Sequence, residues 1–143
     1  MEKIDWCLAT KFKESEAWGD PMKMSYRIVW LLANIRASLP NNCWIKIHKG
    51  SSISGHAKKS QHYNVPCLAV DFHIVGCPLL ESEMHIMKYL HNSGMIEFVG
   101  IGIYPQWLNP GFHIDIRGER ASWSKLNGKY VAYKLGIEFA RNL

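Results

Sequence analysis

Apolar positions recur at helical spacing from Ser25 onward, at Ile28, Val29, Leu31, Leu32, Ile35 and Leu39, until Pro40-Asn41-Asn42 stops the run. That spacing predicts an amphipathic helix. Trp44-Ile45-Lys46-Ile47-His48 then alternates and predicts a strand, closed by Lys49-Gly50. Residues 50–67 are rich in Ser, Gly and polar groups and predict a long loop, a feature that in compact domains is usually functional or disordered. The segment from Cys67 to Val75 predicts a buried strand with an acid, Asp71, in its middle. Leu79 to His91 predicts a second helix, ended by Asn92-Ser93-Gly94. Phe98 to Tyr104 and Phe112 to Arg117 predict two more strands, and Lys129 to Arg141 a closing helix. Residues 1–23 form an irregular N-terminal arm with a Gly-Asp-Pro turn. Elements in this order predict an α+β fold, one domain over residues 1–143 with a mostly antiparallel sheet flanked by helices.

Composition narrows the class. A chain of 143 residues, 48% hydrophobic and 20% charged, suits one globular core. No run is long enough to span a bilayer, so no membrane span is expected. The start, Met1-Glu2-Lys3-Ile4-Asp5-Trp6, has no basic region leading into an apolar one, which predicts a cytoplasmic protein that leaves, if at all, by lysis. Cys7, Cys43, Cys67 and Cys77 form no CxxC pair, so a zinc knuckle is not expected and free thiols are. The net charge of +5 favours polyanionic surroundings, either nucleic acid or a carboxylate-bearing cell wall. Its basic residues are scattered, with no Lys/Arg stripe and no RNA-binding aromatic signature, so specific nucleic-acid binding is not expected.

Polar groups stand where a core should be. Asp71 lies between Val70 and Phe72, and Asp115 lies within Phe112-His113-Ile114-Asp115-Ile116. A lone buried carboxylate costs several kcal/mol, so each calls for a cation, a metal or hydrogen-bond donors. His113 and Asp115 share one face of their strand by the two-residue period. With His62 from the polar loop, His113 and Asp71 offer two imidazoles and a carboxylate, the donor set of an open zinc site. The same residues permit other readings. Asp115 has Arg117 and Arg120 as salt-bridge partners, Asp71 has backbone donors, and single histidines near strands are commonly just hydrogen-bonded.

A resemblance favours the metal. Ser54-Gly55-His56, Ser60-Gln61-His62 and Leu68-Ala69-Val70-Asp71-Phe72-His73-Ile74 resemble the S-x-H…A-x-D segment of the zinc D-Ala-D-Ala carboxypeptidase and murein endopeptidase family. Gly100-Ile101-Gly102-Ile103-Tyr104-Pro105, then Phe112-His113-Ile114-Asp115 and Trp123, resemble that family's G-x-G-x-Y-P…F-x-H-x-D…W segment. Phe12 to Glu16 resembles its entry segment, so the likeness runs from about residue 12 to Trp123. It implies a small α+β domain of the hedgehog type, zinc held by His62, Asp71 and His113, and peptidoglycan peptides as substrate. A phage or prophage lysis enzyme is the implied setting, and a catalytically silent zinc module of the same fold the alternative. A metal-free structural or nucleic-acid protein is the third reading.

The chain departs from the family pattern in three places. Nine positions separate His62 from Asp71, two more than is usual, with Asn64-Val65-Pro66-Cys67 in place of a Gly. Pro110 stands where several branches carry a catalytic acid, and the family's S-G-Y-R arginine has no equivalent near His48-Lys49-Gly50, where Lys49, Lys58 or Lys59 would have to substitute. Asp115 is the expected general base or, equally, the acceptor that orients His113. His56 and Tyr104 are the expected oxyanion donors, and His73, on the strand face shared with Asp71, is either an outer partner that supports a ligand or a wall of the cleft.

Overall fold

A computed structural model describes residues 4–6, 12–52 and 59–143. Helix α1 (Tyr26–Ser38) forms where the apolar spacing places it, and the Ser25 side chain caps its start by accepting from the Arg27 amide. Strand β1 (Trp44–Lys49) follows, then β2 (Ala69–Val75), which starts two residues later than its apolar run. Helix α2 (Leu79–Ser93) ends at Gly94, which takes the left-handed conformation at φ 76. Residues 95–98 wind into a short 3-10 turn, so β3 (Gly100–Tyr104) begins after Phe98, and β4 (Gly111–Asp115) stops before Arg117.

The predicted closing helix needs correction. Residues 121–131 form a hairpin, β5 (Ala121–Leu126) and β6 (Lys129–Val131), and α3 covers only Tyr133–Arg141. The turn is Asn127-Gly128, with both residues at positive φ (52 and 77), the geometry that matches the twist of a two-residue hairpin.

The six strands join one sheet in the order β1-β2-β4-β3-β5-β6. All neighbours are antiparallel except β3 and β5. The fold is thus α+β with a mostly antiparallel sheet, as the order of elements implies. Alternation divides the sheet into two faces. Ile45 and Ile47, Val70 and Phe72, Ile101 and Ile103, and Phe112 and Ile114 are buried in one core with Ile28 and Leu32 of α1 and Ile86 and Leu90 of α2. Among the described residues of the N-terminal arm, Pro21–Lys23 wind into a 3-10 turn, and Phe12 and Trp18 are both buried in that core. No described helix is long and apolar enough to cross a membrane.

Candidate metal centre

The other face carries the chemistry. Asp71 of β2 lies directly opposite His113 of β4 in the antiparallel register, and His113 lies opposite Gly102 of β3. His62 reaches the same point from a 3-10 turn, Gln61–Tyr63, whose start is capped by the Ser60 hydroxyl. His62 Nε2 stands 3.1 Å from Asp71 Oδ1 and 3.2 Å from His113 Nδ1, and His113 Nδ1 stands 2.9 Å from Asp71 Oδ1. Both imidazoles are buried, and 13% of the Asp71 side chain is exposed.

The remaining ring nitrogens explain why this triangle calls for a cation. His62 Nδ1 donates to the Gly50 carbonyl at 2.7 Å, and His113 Nε2 donates to Asp115 Oδ2 at 2.6 Å. In the neutral rings those bonds leave a lone pair on His62 Nε2 and another on His113 Nδ1, both aimed at a carboxylate oxygen. Three acceptors in contact repel unless a proton or a metal sits among them. A tetrahedral zinc site with ligands at about 2.0–2.1 Å has edges of about 3.3–3.4 Å, so the triangle fits one face of that tetrahedron to within a few tenths of an ångström.

Charge follows the same logic. Burial works against the Asp71 carboxylate, yet hydrogen bonds to His113 and His62 hold it well below the usual range. Burial also works against the His113 imidazolium, but Asp115 and Asp71 outweigh it and keep its pKa above the ordinary value. Without a metal, a proton on His113 is what the two carboxylates favour, and it would relieve the contact among the three acceptors.

Asp115 is fully buried and both its oxygens are in use. Arg117 Nε donates to Oδ1 and Arg117 Nη2 to Oδ2, each at 2.8 Å. Burial opposes its charge, and Arg117 followed by His113 holds its pKa down. Of the two roles open to Asp115, this geometry supports orienting His113 over taking a proton from water. The G-x-G of β3 makes the arrangement physically possible. A Cβ on Gly100 would lie 2.5 Å from Arg117 Nε, and one on Gly102 would lie 2.6 Å from Trp123 Nε1 and 2.8 Å from the Tyr104 ring. Gly50 serves similarly, because a Cβ there would meet the Trp18 carbonyl at 2.5 Å. The Trp18 carbonyl accepts from Ser51 N at 2.7 Å, so the arm holds the loop whose carbonyl fixes His62.

Beyond the triangle opens a cleft of about 710 Å³, walled by Tyr104, Trp107, Trp123 and Tyr130 with Lys59 and Lys125 at its rim. Tyr104 and Trp107 stack at 4.3 Å, and Trp123 Nε1 donates to the Tyr104 oxygen at 2.8 Å. Burial pushes the Tyr104 hydroxyl up to about 12, so it keeps its proton to donate. His73 meets His48 Nε2 through its Nδ1 at 2.5 Å, and this pair packs beside Trp107. His73 thus bonds His48 rather than a member of the triangle. His56 lies outside the described residues. Arg117 pairs with Asp115, one of the salt bridges the sequence offers, whereas Trp107 and Lys125 have no assigned role there. Arg117 and Lys125 do follow the two-residue period from the cleft-facing Asp115 and Trp123.

No protein-family model matches the chain, and no curated protein or solved structure matches it. His62, Asp71 and His113 form a group able to hold a metal ion.

Proposed function

We propose that this chain is a zinc-dependent peptidase that hydrolyses peptidoglycan peptides. The observation that carries the metal is the convergence of three acceptor atoms whose outer partners, the Gly50 carbonyl and Asp115, fix both imidazoles with lone pairs inward. The choice of peptide substrate rests on the resemblance of the motifs around His62, Asp71, Tyr104 and His113. An aromatic cleft with lysines at its rim suits a short peptide bearing carboxylates.

A zinc ion, when bound, supplies Lewis acidity toward a peptide carbonyl and toward water. The chain's own residues orient the ligands, the peptide and its carbonyl. Asp115 holds the His113 ring and is itself held by Arg117. The Tyr104 hydroxyl, positioned by Trp123, donates to the carbonyl oxygen as negative charge develops there. Trp107 and Tyr104 flank the peptide, and Lys59 and Lys125 attract its carboxylates.

One observation favours a second reading, a zinc module that binds without cutting. Asp71 and Asp115 are the only acids lining the described part of the cleft, Asp71 among the proposed ligands and Asp115 with both oxygens occupied, while Pro110 offers no acid. A single experiment separates the readings. Purified sacculi are incubated with the zinc-loaded chain, and released stem peptides are measured by mass spectrometry. The peptidase releases them, stops with a chelator, recovers with zinc and fails in His62→Ala and His113→Ala. Zinc bound at full occupancy with no release would establish the silent module instead.

A further inference from the structure

A second group of metal-ligating side chains lies away from the cleft, at the start of α2. Cys77 immediately precedes the N-cap residue Pro78, and Glu81 and His85 follow at spacings of four. That spacing stacks the three on one helix face. Their ligand atoms all lie within 4.8 Å of one another. One further observation points to a ligand. Among the described residues His85 Nε2 is buried and has no hydrogen-bond partner, with Glu81 Oε1 3.9 Å away.

We propose that Cys77, Glu81 and His85 bind a second metal ion, zinc or another thiophilic divalent cation. One sulfur, one imidazole and one carboxylate make a three-donor set that water completes to four. With zinc–sulfur bonds of about 2.3 Å and zinc–nitrogen or zinc–oxygen bonds of about 2.0–2.1 Å, the group has to contract by about 1 Å. Glu81 can supply most of that movement, since 51% of its side chain is exposed. Cys77 follows β2, and Glu81 and His85 lie in the first turns of α2, so the ion ties the end of β2 to α2, a role independent of the cleft. No CxxC signature announces it.

The test uses cobalt(II) and the full chain carrying His113→Ala, under reducing conditions. The cleft trio contains no sulfur, so a thiolate-to-cobalt charge-transfer band in the near ultraviolet reports the α2 site. The expected result is a band that saturates at about one cobalt per chain, disappears in Cys77→Ser and survives in Cys67→Ser. Should Cys77→Ser fail to fold, His85→Gln and Glu81→Gln, both on a partly exposed helix face, serve instead. Each should weaken the titration by about tenfold or more. Absence of the band, its persistence at full strength in these variants, or a Cys43–Cys77 disulfide in the purified protein would overturn the proposal.

Discussion

On β4, Phe112 and Ile114 enter the apolar core while His113 and Asp115, one position away in each case, meet the cleft. β2 repeats the division with Val70 and Phe72 against Asp71 and His73, and β3 with Ile101 and Ile103 against Gly100, Gly102 and Tyr104. The core face is held by area removed from water, which tolerates some repacking. The cleft face is held by directed bonds whose removal strands a charge. A register slip of one residue would exchange the faces, so the same pairing that builds the core also places the three acceptors.

The comparison can be broken from either side. Phe112→Ala on the core face should cost about 3–5 kcal/mol in urea unfolding, the cost of emptying a fully buried aromatic site. Arg117→Met on the cleft face should cost about 3 kcal/mol, because Asp115 keeps its charge in a fully buried position and loses its bidentate partner. Arg117→Met should also loosen zinc, which Phe112→Ala should not do while folded. Tyr104→Phe should leave the urea midpoint within experimental error yet lower kcat on stem peptides about a hundredfold, the loss of one oxyanion donor. An unchanged kcat there would remove Tyr104 from the chemistry.

The smallest effect separates proton from metal. His113 is held above its ordinary value, so the stability it contributes is complete below about pH 6.5 and is lost as pH rises through the raised folded value. Asp71 is held below its ordinary value, so its contribution is present above about pH 3.9 and lost only in stronger acid. The metal-free chain should therefore be most stable between about pH 4 and 6.5 and should drift to lower Tm toward alkaline pH. With zinc bound, the same scan should stay level through neutrality. Parallel curves with and without chelator would show that no metal replaces the proton.

Much of this plan is legible in the sequence. α1, α2 and the strands around Asp71 and His113 follow from apolar spacing, because large side chains fill their core-facing positions. Asp71, His113 and Asp115 stand out because polar side chains interrupt apolar runs. β5 was missed for a physical reason. Its buried core-side position is Ser124, which bonds the Ile103 carbonyl at 2.7 Å and faces Gly136 of α3, where a Cβ would come within 2.2 Å of the Ser124 oxygen. Close approach of helix and strand has replaced the large apolar residue that gives a strand its signal. The Asn127-Gly128 turn was the available clue. The role of Gly50 was invisible for another reason, since it acts through a backbone carbonyl that carries no side-chain signature.

The most direct test is the metal content of the full chain carrying Cys77→Ser, so that the cleft alone is counted, with and without His113→Ala. The account predicts about one zinc per chain by elemental analysis, lost when His113 is replaced while the fold survives by circular dichroism. A folded protein that takes up no zinc when zinc is supplied, or keeps it without His113, would contradict the central claim.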